Sequence, residues 1–402
     1  MESLADKLKA LGMDLGAGNL SPTRPQKKGQ YPIDQVVEGE EIQTIYGKTF
    51  TVSRDATSEI EQWHDINQPL IVSPVMVEQE MISPGIIFLD TETSGLCGGT
   101  GTYVFMVGIG IYDNSRFTLH QLFMRDPDEE AGFLAALGSL IGDTNLLVTF
   151  NGKAFDIPML NTRHRLVGLT PILSADTHYH LDMLTIARRI WKTRLPGRSL
   201  GDLEREILHI TRDEEEVPGW MIPEMYFDYL YSGDARPMKR VFYHNAVDII
   251  SLAQLFFITH QMLKAPLELT VDNIDLASIA RIYEKQNRLD EAIDLYEASL
   301  NRGLPVQVYL QTVERYALIF KQKKDWDQAV NLWHRAAELN SFDSLLELAK
   351  YYEHILKDID KAEEMTQKAV KLVKNQVLPP WKKTIMINEL NHRLFRLDGK
   401  KK

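Results

Sequence analysis

Near residue 270 the periodicity of the chain changes, and that change limits what each part can fold into. Before it, short apolar runs alternate with helical stretches; after it, no strand pattern survives and helices come in pairs. GIIFLD (85–90), YVFMVGIGIY (103–112) and RFTLHQLFM (116–124) read as strands, the last two split by the turn Asp113-Asn114-Ser115. EEAGFLAALGSLIG is helical, with Phe133, Leu134, Leu137, Leu140 and Ile141 on one face. LLVTFN (146–151) is another strand. Helices are expected over 157–167, 181–191, 198–208 and about 245–262, the third with Ser199 as N-cap and Asp202 three residues on. EEIQTIYGKTFTVS (40–53) predicts a hairpin turning at Tyr46-Gly47-Lys48. The order predicts an α/β domain, a mixed sheet with helices on both faces.

The C-terminal text repeats. LASIARIYEKQNRLDEAIDLYEAS, VERYALIFKQKKDWDQAVNLWHRA and LLELAKYYEHILKDIDKAEEMTQKA align so that Ala280, Ala317 and Ala349 correspond. Tyr283, Phe320 and Tyr352 also correspond, as do Ala292, Ala329 and Ala362, with Tyr296 matched by Trp333. The spacings of 37 and then 32 or 33 residues lie close to the ~34 of a tetratricopeptide repeat. Small residues recur where paired helices touch, and large ones where space must be filled, which favours a repeat over a plain bundle. The expected organisation is an N-terminal helix and flexible linker over 1–38, an α/β domain over 39–265 and a helical repeat domain over 270–398.

Composition narrows the function classes. The net charge of −11 argues against a nucleic-acid coat protein, yet it is compatible with an enzyme that holds cations on carboxylates. Cys97 is the only cysteine, so an intrachain disulfide is impossible and a Cys/His zinc site is not expected. The opening MESLADKLKALGMDLG lacks the apolar core of a signal peptide, and no run reaches 18 apolar residues. The expectation is a cytoplasmic protein with no membrane span.

The chemistry lies in carboxylates at element ends. Asp90 and Glu92 are two apart, so a strand projects both to one face, at the carboxyl edge of a core strand where open α/β sheets place ligands. Two like charges so close are costly unless a cation sits between them, although such a pair alone is more often solvated charge on an edge strand. Gly95, Gly98, Gly99 and Gly101 follow, a flexible turn or a loop that lets backbone approach a ligand. Asp156 follows a strand and opens a helix, a helix cap or a metal ligand. His244 and Asp248 share a helix face within an otherwise apolar stretch, and an acid there needs a partner. Carboxylates suit hard ions such as Mg²⁺ or Mn²⁺, and a pair of these serves phosphodiester hydrolysis, with a histidine near neutral pKa as base.

In their order, FLDTET, NGKAFD and HNAVD resemble the three motifs of the DEDD exonucleases of the ribonuclease H-like superfamily. The resemblance implies a ribonuclease H-like sheet and a 3′–5′ exonuclease using two Mg²⁺ or Mn²⁺ ions. It implies that Asp90 bridges both ions, that Glu92 and Asp248 hold the ion nearer the water, that Asp156 supports the second, and that His244 is the general base. One spacing departs. The histidine-type subfamily places its base five residues before the last Asp and the tyrosine-type four, whereas here Tyr243 is five before Asp248 and His244 four. His244 is preferred, because the four-residue step is the better helical fit. The whole layout resembles the YprB-type branch (mitomycin repair factor B), which implies a DNA exonuclease repairing mitomycin-type crosslinks beside a helicase partner. Composition and spacing say nothing of that pathway.

For substrate contacts, Arg188, Arg189, Lys192, Arg194, Arg198 and Arg205 crowd one window, a phosphate-tracking surface or a solvated helix face. Lys153 can meet a phosphate or water. Trp191 and Phe155 are expected in the core rather than stacked on bases. His178, His180 and Asp182 have metal-like spacing, but Asp182 is expected to support the fold or the site from behind. DNA is the expected substrate, RNA the alternative, and the repeats are expected to bind a protein partner. A non-catalytic adaptor is the third reading, and the four intact acids count against it.

Overall fold

The computed structural model describes residues 31–63, 71–72, 81–82, 85–95, 101–113, 115–142, 146–171, 179–213 and 216–401. The expected N-terminal helix, its linker up to residue 30, Cys97, Gly98, Gly99 and His178 lie outside the described residues.

A one-turn helix α1 (Ile33–Val36) precedes the hairpin β1 (Glu40–Thr44) and β2 (Gly47–Asp55). Its register pairs Thr44 with Gly47, so the turn is Ile45-Tyr46, one residue earlier than expected, and Gly47 takes the φ of +130°. A two-residue ribbon, β3 (Ile71–Val72) with β4 (Met81–Ile82), stands apart. Then come β5 (Ile86–Thr93), β6 (Val104–Asp113), β7 (Arg116–Phe123), α2 (Glu130–Ile141), β8 (Leu146–Thr149), α3 (Asp156–Leu166) and β9 (Tyr179–Asp182). Seven strands form one mixed sheet in the order β1-β2-β7-β6-β5-β8-β9, with β5, β8 and β9 parallel. Along β5 the side chains alternate between two cores. Ile86 and Phe88 enter the core that holds Phe256 and Phe257, while Ile87 and Leu89 enter the one that holds Phe133, Leu137 and Leu160.

Helix α4 (Met183–Ile190) begins later than expected, because Leu181 and Asp182 complete β9 and the Asp182 side chain caps the helix at Leu184 N–H. Helix α5 (Leu200–Leu203) opens with the expected capping box of Ser199 and Asp202 and runs into a π-helical turn (Glu204–Leu208). Helix α6 (Ile222–Ser232) has no clear apolar period in the sequence; it packs Tyr226 flat against Phe105, with centroids 4.0 Å apart. Helix α7 (Met238–Lys264) starts seven residues before the expected Asn245. By length and composition α7 could cross a membrane, but 61% of its most apolar window is buried in the protein.

Two glycines let α7 lie close on β6. A Cβ at Gly108 would lie 2.7 Å from Ile249 Cγ1 and 2.9 Å from Asn245 Cγ, and one at Gly110 would lie 2.9 Å from Ile249 Cγ2. Gly108 pairs across the sheet with Asp90 on one side and Gln121 on the other. Asn245 lies over it and joins both neighbours: its Oδ1 accepts from Gln121 Nε2 (3.1 Å) and its Nδ2 donates to Asp90 Oδ2 (3.3 Å).

The helical region is three antiparallel pairs and a closing helix: α8 (Asn273–Lys285) with α9 (Leu289–Asn301), α10 (Val306–Lys323) with α11 (Trp326–Glu338), α12 (Phe342–Tyr351) with α13 (Ile359–Asn375), then α14 (Pro380–Lys401). Ala280, Ala317, Ala349, Ala292, Ala329 and Ala362 are all fully buried, as their matched positions predicted. The core beneath α7 continues into Leu276, Ile279 and Tyr283 of α8. Arg194 clamps the junction. Its guanidinium donates to both carboxylate oxygens of Asp275 at 2.7–2.9 Å, and that carboxylate is buried. Arg194 is thus held by a structural ion pair, whereas the sequence had suggested a phosphate contact.

Two outcomes follow for stability. Gly108→Ala forces Asn245 and Ile249 to shift, so the unfolding free energy should fall by about 1–3 kcal/mol, read by urea titration. Arg194→Ala leaves Asp275 buried without its partner and should cost about 3 kcal/mol in the same titration; Arg194→Met with Asp275→Leu should recover most of it.

Candidate metal centre and catalytic site

β5, β8 and β9 run parallel, and their carboxyl ends deliver the site. Asp90 and Glu92 leave β5 on one face, and the β5–β6 register shifts between Glu92 and Thr93. Such a bulge re-aims a side chain. The chain leaves β8, turns through Asn151 in the left-handed region (φ 66°) and enters α3 at Asp156. This turn is fastened from β9: Asp182 carboxylate oxygens accept from Asn151 N–H (2.9 Å) and Lys153 N–H (3.3 Å). Asp182 is the supporting residue anticipated above. His180 bonds Thr149 Oγ1 at 2.8 Å. Among the described residues, the one group with metal-ligand spacing is elsewhere.

That group is Glu92, His244 and Asp248, whose ligand atoms all lie within 4.8 Å of one another. His244 Nε2 is 3.3 Å from Asp248 Oδ2 and 4.0 Å from Glu92 Oε1. Its Nδ1 faces Glu216 Oε1 at 2.6 Å, so one carboxylate orients the ring from behind while Nε2 looks into the acids. Tyr243, the rival base, has Asp213 as its hydrogen-bonding partner. Asp156 accepts from Thr91 Oγ1 at 2.5 Å.

The electrostatics tie the four acids together. Burial, then the charges of Asp248, Glu92 and Asp156, push the Asp90 carboxyl well above the usual range. Burial lifts Glu92 to about 7 although His244 pulls it down, with Asp248 and Asp156 adding to the rise. Burial lifts Asp156 to about 6 against the Thr91 hydrogen bond. Asp248 is raised by burial despite His244 and Arg212. His244 loses basicity to burial, but Asp248, Glu92 and Glu216 more than restore it. Four carboxylates, Glu92 and Asp156 buried and Asp90 and Asp248 partly buried, that resist ionising together are a site short of positive charge. A set of carboxylate oxygens beside one imidazole fits a hard divalent cation.

Sequence reading missed the residues that frame this cluster. Arg212 donates to Glu204 (2.6 and 2.7 Å), to Glu216 (2.8 Å) and to Asp248. Asn245 and Gly108 place α7 against Asp90. None has a local motif; only the glycine spacing in VGIG hinted at close packing. Of the other residues expected to contact substrate, Lys153 is exposed beside the site, Arg198 Nη1 donates to Leu195 O (2.8 Å), and Arg205 pairs with Asp202 and Glu206. Trp191 is fully buried in the core.

Comparison with known proteins agrees with this architecture. The family profile of the RNase H superfamily matches residues 87–259, which span all four acids and His244, and the tetratricopeptide repeat profile matches residues 276–305. YprB of Bacillus subtilis (strain 168), an uncharacterised protein, is 30% identical over 290 residues, covering 71% of this chain and 69% of that protein. Among solved structures, the family B DNA polymerase from the archaeon Pyrobaculum calidifontis matches with TM-score 0.33 and 14% identity over 68% of this chain, which spans 34% of the polymerase's length. That likeness is too loose to bear on function. The sheet order, the acids at its edge and the shared length of sequence place the chain in the YprB family, as a ribonuclease H-like nuclease domain followed by tetratricopeptide-type helical repeats.

Proposed function

We propose that this protein is a divalent-metal-dependent exonuclease of the DEDD type that removes nucleotides from the 3′ end of DNA. The observation that carries the reading is the convergence of Asp90, Glu92, Asp156 and Asp248, far apart in the chain, with His244 at one sheet edge. Asp90 is central, since the other three carboxylates all act on it. Glu92 and Asp248 lie beside the His244 imidazole, and Asp156 flanks Asp90 from the β8 side. Two Mg²⁺ or Mn²⁺ ions, when bound, would supply Lewis acidity to the scissile phosphate and lower the pKa of the attacking water. His244 would serve as the base, its Nε2 facing the acids to accept a proton and Glu216 stabilising the imidazolium through Nδ1. The wider setting proposed with it, cytoplasmic repair of mitomycin-type DNA crosslinks beside a helicase, rests on the motif resemblance alone; the repeat profile supports a protein-binding role for the helical region.

The test is digestion of matched DNA and RNA strands, labelled at the 3′ or 5′ end, with Mg²⁺, Mn²⁺ or EDTA. Release of mononucleotides from the 3′ end of DNA, stopped by EDTA and abolished in Asp90→Asn, is the expected result. Preferential digestion of RNA moves the substrate, and no digestion of any end leaves the adaptor reading. The base is assigned by a second comparison. His244→Gln should lower the rate by roughly 10²–10⁴-fold and flatten its rise with pH, whereas Tyr243→Phe should stay within about threefold of wild type by the same reasoning. The reverse order would hand the role to Tyr243.

A further inference from the structure

Beside the site, at the carboxyl end of β9, a concave groove of about 940 Å³ opens between the nuclease domain and the first repeat. One wall comes from α4 and its exit, where Thr185, Arg188, Arg189 and Lys192 follow the i, i+3, i+4, i+7 spacing of a helix face. The opposite wall is α8, where Ser278, Arg281, Ile282 and Lys285 follow the same spacing. The two walls are held face to face by the Arg194–Asp275 pair. At the mouth stands Lys153, three residues before Asp156, on the turn that Asp182 fastens.

Most cations of this groove differ from those that fasten the fold, although Arg288, which also lines it, pairs with Glu291. Arg194, Arg212, Arg315 and Arg393 all face carboxylates. Arg188, Arg189, Lys192, Arg281, Lys285 and Lys153 are exposed, and none has an ion-pair partner among the described residues. Like charges gathered in a concavity raise one another's electrostatic cost, and a polyanion relieves it. In a chain of net charge −11, that concentration is local. Tyr179 also lines the groove and is 44% exposed, a platform on which a base can stack. Basic walls with an exposed aromatic suit a single strand, whose bases are free to stack, better than a duplex, whose bases are already stacked.

We infer that this groove is a single-strand binding track, with the first helical repeat forming one wall of the nucleic-acid path that leads to the acids. The inference rests on the nuclease reading and extends it: the repeat domain contacts substrate as well as any protein partner.

The experiment is fluorescence anisotropy in EDTA, with the full chain and a labelled 20-nucleotide single strand, across a salt series. Arg281→Gln/Lys285→Gln should weaken binding about tenfold at moderate salt and lower the slope of log affinity against log salt by about 1.4, two contacts at ~0.7 each. Tyr179→Ala should weaken binding about tenfold with no change in slope, since stacking releases no counterions. Lys371→Gln/Lys374→Gln, on α13, serves as the surface control and should leave both quantities alone. Equal loss in the control, no loss in the Arg281/Lys285 variant, tighter binding of the duplex form, or no binding by wild type each overturns the track. Digestion in Mn²⁺ with the same preparations keeps the two readings apart. Wild type that binds but never cleaves defeats the nuclease and spares the track. Cleavage and binding that are both indifferent to Arg281 and Lys285 defeat the track alone.

Discussion

Four carboxylates gathered at one sheet edge, two buried and two partly buried, are an electrostatic cost that the surrounding structure has to hold in place. Every one of them is pushed toward the neutral form by burial, and the mutual charges of Asp90, Glu92 and Asp248 push further. The protein offsets this with a short inventory of donors: Thr91 to Asp156, Asn245 to Asp90, Arg212 to Asp248, and the His244 ring between Glu92 and Asp248. The donors leave the acids short of positive charge, and that shortage supports the proposed cation site over an ordinary ion-pair network.

The sheet and α7 meet because β6 gives up two side chains. Gly108 stands in the row Gln121–Gly108–Asp90, and the space over it is filled by Asn245, which bonds both ends of the row. The same close approach fixes the rotation of α7, so His244 and Asp248 reach the face where Asp90 and Glu92 project. Stability and chemistry are therefore coupled at one packing contact. The second such coupling is Arg194 with Asp275, which sets the first repeat against α4 and so shapes the groove beside the site.

Much of the architecture was legible before any coordinates. The apolar runs at 85–90, 103–112, 116–124 and 146–151 all became strands, because each is bounded by turn residues and too short for a buried helix. The alanines at 280, 317 and 349 marked helix contacts correctly, since only a small side chain fits where paired helices touch. The errors have local causes. Leu181 and Asp182 read as helix because their apolar spacing continues into α4, but pairing with β8 claimed them for the sheet and left Asp182 as the cap. Helix α6 escaped notice because Pro223 and a run of aromatics hide its period.

Sequence alone determined the strand-and-helix order, the repeat, the acids, and the four-residue step that sets His244 on the face of Asp248, because each depends on a local period or on residue chemistry at an element end. Tertiary structure alone decided which charges are free. Arg194 and Arg188 stand six residues apart in one basic window, yet one is held by Asp275 and the other lines an open groove. Likewise Arg281 and Lys285 belong to a repeat helix by sequence and to the rim of the nuclease groove by position. Partners brought together across some eighty residues leave no periodic trace in the text, because long-range pairing is set by how the two domains pack and not by spacing along the chain.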